Sequence, residues 1–129
     1  MLNYENYRAL FERAAAEARN GSAEAEEDLG FLHDAAEHFL DYVHEVGISE
    51  IGILLASATL SGTEQRERVT ELDHGRTTAH NAAIASAGMI NRMAQAYGVG
   101  PVYEGDLTQR RQVAQLCIEF TNRVFADRR

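Results

Sequence analysis

The residues best suited to chemistry lie between Leu72 and Asn81, where charged and titratable side chains interrupt a helical pattern of apolar residues. At about 100° per residue, Asp73, Arg76 and His80 share one side of that helix. There an arginine can hold an anion and a histidine can exchange a proton, but the same groups can also form a polar inlay that fixes helix register. Both interpretations stay open. The candidate ligand-binding residues are Asp73, Arg76, His80 and Asn91.

Arg76 falls in the middle of the apolar stripe, which predicts that its guanidinium is mostly buried. The stripe recurs at three- and four-residue spacing: Val69, Leu72, Ala79, Ala83, Ala87, Ile90, Ala94 and Tyr97. Holding a charged guanidinium out of water is costly unless a carboxylate or carbonyl oxygens meet it. We therefore expect Arg76 to have such a partner elsewhere in the fold.

A second group, His33, Glu37 and His44, lies on one shoulder of the preceding helical stripe. A histidine and a carboxylate four residues apart can share a metal ion, and His80 or Asp73 could supply a third ligand. However, the paired Glu-x-x-His motifs of di-iron bundles are absent, as is the spacing of closed zinc sites. We therefore expect solvated or hydrogen-bonded histidines, with no metal and no cofactor.

Composition is typical of a small cytoplasmic protein with one domain, residues 1–129. A chain of 129 residues with 45% hydrophobic content can bury a core without staples, and the lone Cys117 is expected to be an inert core thiol. The net charge of −8 argues against general binding to nucleic acid or anionic membranes. The N-terminus lacks a secretory signal, and the longest apolar stretch, residues 48–60, is too short and interrupted to cross a bilayer.

Helices must position these residues, since helical periodicity recurs along the chain and no segment alternates as a strand does. Caps and glycines divide the chain into five helical segments: residues 3–19, 22–47, 51–60, 63–97, and from Asp106 to the C-terminus. The predicted fold is all-α, a single-domain antiparallel helical bundle of four main helices plus one short apolar helix. In the connection before the last helix, Tyr103 is predicted to pack on the bundle.

The short helix, Ile51 to Leu60, has almost no polar face and must therefore be covered on all sides. This predicts either a central position in the bundle or a subunit interface. We favour the interface, most simply in a two-fold homodimer. Replacing Ile53 by Glu should then weaken the dimer if Ile53 lies on the exposed side of the helix.

Polar residues in the second half of the chain follow an unusual order and spacing. They read Arg76-x-x-x-His80-Asn81, then Asn91-Arg92, then Gly98-x-x-Pro101-x-Tyr103-x-Gly105-Asp106-x-x-x-Arg110. Over residues 72–129 this pattern resembles a family of uncharacterised small all-helical bacterial proteins. The resemblance implies a compact helical fold and supplies no catalytic residues.

The pair Arg76 and His80 can also be compared with helical ribonucleases of prokaryotic defence systems, the family named for higher eukaryotes and prokaryotes nucleotide-binding. Their motif has four to six residues between the arginine and the histidine, whereas this chain has three. Two hypotheses follow. The leading one is an oligomerising interaction module that binds a second copy or another protein through residues 51–60. The alternative is an anion-binding, small-ligand or phosphodiester-cleaving site around Arg76 and His80, so whether the chain is an enzyme stays open.

Overall fold

The computed structural model describes residues 1–126 and places most of them in four α-helices. The helices are α1 (Tyr4–Arg19), α2 (Ala23–Thr59), α3 (Gly62–Ala96) and α4 (Arg110–Ala126). Within this described range the β pairing is limited to one isolated antiparallel bridge between Leu2 and Tyr103. The predicted all-helical class is confirmed. None of the helices in residues 1–126 combines the length and the hydropathy needed to cross a bilayer.

Capping residues set the helix ends that the sequence indicated. Asn3 Oδ1 accepts a hydrogen bond of 3.0 Å from a backbone N–H of the first turn of α1. Ser22 Oγ accepts one of 3.1 Å at the start of α2. Each side chain satisfies an N–H group that has no acceptor within its helix. Gly21 and Gly98, which follow α1 and α3, have positive φ values of 93° and 72°, so they end these helices in a conformation that disfavours other residues.

The helix boundary predicted between residues 47 and 51 is wrong, because α2 continues without a break to Thr59. Gly47 does not adopt the positive φ of a helix stop. Ser49 does not cap a new helix, because its Oγ donates to Val46 O at 3.0 Å within α2 and its side chain is buried. The predicted short apolar helix is therefore the C-terminal part of a 37-residue helix.

The last helix begins later than predicted. The Asp106 carboxylate binds Thr108 instead of capping α4, with its Oδ1 accepting from Thr108 N at 3.0 Å and from Thr108 Oγ1 at 2.5 Å. This turn extends to Gln109, and α4 starts at Arg110. Residues 127–129, which the periodicity also assigned to this helix, lie outside the described residues.

Aromatic rings from three helices and from the connection 97–109 form the centre of the core. The ring of Phe39 in α2 lies 5.2 Å from Phe120 in α4 and 5.3 Å from Tyr103, measured between centroids. Tyr7 in α1 meets Phe120 edge-on at 5.4 Å. Tyr103 is buried, so the prediction that it packs on the bundle is confirmed. Such edge-to-face contacts fix α1, α4 and the connection against α2.

Helices α2 and α3 form an antiparallel hairpin, since only two residues separate them. Their buried or half-buried residues alternate spacings of four and three, as in coiled coils. These seam residues are Ala35, Phe39, Tyr42, Val46, Ser49, Ile53, Ala56 and Leu60 from α2 and its C-cap, and Gln65, Val69, Leu72, Arg76, Ala79, Ala83, Ser86 and Ile90 from α3. The helices approach closely at Gly52, where an added Cβ would lie 2.7 Å from Leu72 Cδ1.

The hairpin is longer than α1 and α4, so its distal end projects from the bundle. The main core cluster includes α2 as far as Val46 and α3 from Ala79 onward. The start of α4 lies beside Thr77, whose Oγ1 accepts a hydrogen bond of 3.0 Å from Arg110. We term residues 46–59 and 62–76 the arm. At 1.5 Å per residue it extends about 20 Å, and its two helices must cover each other's apolar residues by themselves.

Candidate functional site

Four charged side chains from three helices converge where the arm meets the bundle. Arg76 Nη2 donates to Asp73 Oδ1 at 2.7 Å, and Arg76 Nη1 lies 3.9 Å from Glu50 Oε1 on α2. Arg110, the first residue of α4, places its Nη1 3.8 Å from the same Asp73 oxygen. Two cations therefore face two carboxylates, which leaves the cluster electrically balanced.

Arg76 is more buried than either carboxylate. Its side chain is 26% exposed, against 51% for Asp73 and 68% for Glu50. Arg76 Nε is buried and has no hydrogen-bond partner among residues 1–126. The seam position accounts for this burial, because the aliphatic stem packs between α2 and α3 while the end of the guanidinium reaches the surface. The nearer carboxylate, Asp73, is on α3 itself, and the partner expected elsewhere in the fold is Glu50 on α2, at the longer distance.

His80 lies one turn further along α3 in a different environment. It is buried, and its ring meets Tyr42 edge-on at 5.5 Å between centroids. His80 Nδ1 lies 3.3 Å from Asn81 Oδ1, whereas Nε2 is buried without a hydrogen-bond partner in the described part of the chain. The described hydrogen bonds thus link Asp73 to Arg76 and do not continue to His80.

Tyr42 on α2 interacts with His80 and with the two arginines of the charged cluster. It is buried, and desolvation followed by the Cys117 thiol raises the pKa of its phenol, while the charges of Arg110 and Arg76 oppose that rise. The phenol is therefore within electrostatic reach of both arginines and in ring contact with His80. This part of the seam combines buried polar groups from α2 and α3 with a cation from α4.

Asn91 does not join these residues, because its side chain is bound to the connection 97–109. Asn91 Oδ1 accepts hydrogen bonds from Val102 N at 3.0 Å and Tyr103 N at 2.9 Å, and Nδ2 donates to Tyr103 O at 2.8 Å. Both loop residues are buried, so these bonds satisfy backbone groups that water does not reach. The geometry supports a structural role for Asn91, separate from Asp73, Arg76 and His80.

The three side chains considered for a metal site are not brought together. His33 Nδ1 lies 3.4 Å from Asp34 Oδ1 and 3.9 Å from Glu37 Oε1. The side chains of His33, Asp34 and Glu37 are mostly exposed. His44 instead borders a cavity of about 420 Å³, whose lining also includes His38, Asp41, Glu45 and Thr78. Within residues 1–126, no group of three or more His, Cys, Asp or Glu side chains could hold a metal ion.

A row of exposed aliphatic side chains lies on the outer face of the arm. Ile48, Ile51, Leu54 and Leu55, which we term the apolar ridge, are 44%, 59%, 70% and 59% exposed. Ile51 and Leu54 each precede a seam residue by two positions, a rotation of about 200°, so they point away from α3. Ile53 is itself a seam residue and is half-buried. Ile53 is therefore not on the exposed side, so Ile53→Glu does not test an interface. Substitutions at the ridge do.

The outer face of α3 in the same arm is polar. Its exposed residues are Thr63, Glu64, Glu67, Thr70, Glu71 and His74. A helix packed on one partner normally has polar residues on its outer face, as α3 has, so the hairpin does not account for the apolar ridge of α2. A contiguous exposed apolar patch on a small protein is characteristic of a surface that contacts another molecule.

Comparison with known proteins shows the family. A family model described as protein of unknown function (DUF3232) matches residues 5–129. The chain belongs to this family. The resemblance to an uncharacterised family over residues 72–129 is confirmed, and the match extends it across α1 and α2. No curated protein and no solved structure matches the chain.

In this DUF3232 protein, sequence reasoning located the polar residues of α3 and the apolar segment 51–60. It did not connect Glu50 or Arg110 with Arg76, and it did not include Ile48 in the exposed apolar face. The sequence does contain a signal for the ridge. Every seventh residue from position 34 forms a series that is acidic at first and then apolar: Asp34, Asp41, Ile48 and Leu55. That series lies on one face only if the helix continues through residue 47. The predicted helix break therefore hid it.

Proposed function

We propose that this DUF3232 protein is an oligomerising module that binds a second copy of itself through the apolar ridge. The supporting observation is that four large aliphatic side chains lie exposed side by side on a helix whose seam with α3 is already complete. Single exposed aliphatic residues are ordinary, but a contiguous group is characteristic of an interface. The partner we propose is a second copy, because in a two-fold dimer the same aliphatic surface of each copy covers that of the other.

The exposed area of the ridge limits the strength of a dimer. Its four side chains are on average more than half exposed. At about 1.5–3 kcal/mol per fully buried side chain, covering the ridges of two copies contributes about 7–14 kcal/mol. Association costs about 4–15 kcal/mol in lost freedom. The two terms largely offset each other, so the ridge supports a reversible, concentration-dependent dimer rather than a permanent one.

Analytical ultracentrifugation across about 1 µM to 1 mM tests this proposal. Wild type should shift from monomer to dimer, and Ile51→Glu should raise the Kd at least about thirtyfold, because it removes aliphatic contact and buries two charges. Thr70→Glu adds the same charge to the exposed outer face of α3 and is the matched control, expected to leave the Kd within about twofold. A wild type that stays monomeric throughout, or equal Kd values for all three proteins, would contradict the proposal.

An anion or small-ligand site around Arg76 and His80 is a second candidate function. It is favoured by two buried nitrogens without hydrogen-bond partners in the described chain, Arg76 Nε and His80 Nε2, since a ligand oxygen could satisfy either one. Inorganic phosphate is the first probe, with the His80 ring resonances followed by NMR during titration, and a fluorogenic RNA tests for phosphodiester cleavage.

Saturable shifts that Arg76→Ala abolishes would support this second function. Arg68→Ala, which removes an exposed arginine of the same helix, is the control and should leave the titration unchanged. No shift up to about 10 mM phosphate, which bounds the affinity at less than about 3 kcal/mol, together with no RNA cleavage, would argue for a purely structural polar cluster.

A further inference from the structure

The chemistry of the outer face of α2 changes along its length. Before the arm, this face bears the exposed acidic residues Asp34, Glu37 and Asp41 together with His33, Leu40 and His44, and within the arm it bears the ridge. Both parts lie in line, because Asp34 and Asp41 precede Ile48 by two and one seven-residue repeats. One continuous helix face therefore carries its acidic residues in the first half and the aliphatic ridge in the second.

We propose that the two copies pair with their α2 helices antiparallel, with the two-fold axis beside residue 53. This inference rests on the proposed self-association and names its geometry. A parallel pair would set each acidic residue of the outer face against the same residue of the second copy, which is destabilising. An antiparallel pair moves the two acidic halves to opposite ends of the dimer while the ridges still overlap.

The ridge itself indicates the register. An axis beside residue 53 places Ile51 of each copy opposite Leu55 of the other and brings the two Leu54 side chains together at the centre. These are the three most exposed residues of the ridge, so this register places the most exposed part of the ridge at the centre of the interface. Residue 60, at the end of one hairpin, then reaches the level of residue 46 in the second copy. The overlap is confined to the two arms, and α1 and α4 of each copy lie outside it.

Pulsed electron paramagnetic resonance between spin labels on single cysteines tests the direction of pairing. His33→Cys and Thr59→Cys place the labels at two exposed sites of α2, one before the arm and one at the distal end of the arm. At 1.5 Å per residue, antiparallel pairing about residue 53 separates the two labels at residue 33 by about 60 Å, and those at residue 59 by about 20 Å. In a parallel pair, both sites would give about 10–20 Å, since packed helices lie about 8–10 Å apart.

The distances at the two sites test self-association and the direction of pairing separately. A short distance at residue 59 with a long one at residue 33 supports the antiparallel pair. Short distances at both sites overturn it and leave self-association standing. No distance at residue 59 at about 0.5 mM protein overturns both proposals, because any Kd up to about 1 mM would leave at least about a third of the molecules dimeric at that concentration. The buried Cys117 is kept in both variants. Wild type treated with the same spin label serves as the control, and absence of bound label shows that Cys117 does not react.

A label-free measurement provides a second test. The variant Asp34→Asn/Glu37→Gln/Asp41→Asn removes the acidic residues of the outer face without altering the ridge. In the antiparallel pair these residues face no part of the second copy, so the dimer Kd should change by less than about twofold at about 0.15 M salt, where charges more than about 8 Å apart are largely screened. A tightening of tenfold or more would mean that the acidic halves repel each other across the interface and would overturn the antiparallel geometry.

Discussion

Substitution of Arg76 separates a structural arginine from a ligand-binding one. Arg76→Ala removes two methylene groups and the guanidinium from a side chain that is 26% exposed. At about 0.8 kcal/mol per buried methylene, the lost packing costs about 1.2 kcal/mol. The ion pairs with Asp73 and Glu50 add about 0–1 kcal/mol, because both carboxylates are at least half exposed and stay hydrated without Arg76. The expected loss is therefore about 1–2 kcal/mol.

Arg76→Met separates the packing of the side-chain stem from the charge of the guanidinium. Methionine keeps an unbranched stem in the seam and, like alanine, gives up both ion pairs. Because it retains most of the packing that alanine loses, Arg76→Met should lie within about 1 kcal/mol of wild type and be more stable than Arg76→Ala.

Urea unfolding followed by far-ultraviolet circular dichroism measures these differences, at one fixed protein concentration because dimerisation is linked to stability. Arg76→Ala should lower the midpoint by about 0.5–1 M for an m value of about 2 kcal/mol/M. The control Arg68→Ala, whose side chain is 49% exposed beside Glu71, should change stability by less than about 0.5 kcal/mol. A midpoint for Arg76→Ala equal to wild type, or a loss in Arg76→Met as large as in Arg76→Ala, would refute the reasoning.

Three further predictions concern other parts of the fold. Asn91→Ala should lower the unfolding free energy by about 2–4 kcal/mol, because it strands two buried backbone N–H groups; Asn122→Ala at an exposed position of α4 should not, and equal melting temperatures would contradict this. Burial raises the pKa of the Cys117 thiol to about 12. Its thiolate fraction at about pH 8 is therefore about three orders of magnitude below that of a free cysteine, and alkylation of the folded protein should be slower by a similar factor; a rate near that of free cysteine would show this to be wrong. Gly30→Ala should raise stability by about 1 kcal/mol in thermal unfolding, because Gly30 lies inside α2, past its first two turns, where an added Cβ meets nothing within 4 Å; a loss would contradict this.

Where one residue decides a helix end, the sequence was sufficient. Asn3 and Ser22 cap α1 and α2, and Gly21 and Gly98 end α1 and α3, because a cap or a left-handed glycine acts within one turn of its own position. The same types of residue at positions 47 and 49 indicated a helix end that does not exist. There the seam with α3 continues on both sides, and its burial outweighs the cost of about 1 kcal/mol for a glycine within a helix.

The sequence by itself determined the helical class and the placing of Arg76 and His80 near the apolar stripe of α3, since periodicity fixes which residues share one face of one helix. Only the tertiary structure decided that Glu50 and Arg110, distant in sequence, meet the cluster around Arg76. It also decided which faces stay uncovered. Because α4 begins beside Thr77 and the core cluster ends at Val46, the outer face of α2 within the arm has no neighbour among residues 1–126 to cover it. Periodicity identifies an apolar face, but the lengths and packing of the other helices determine whether the fold buries it.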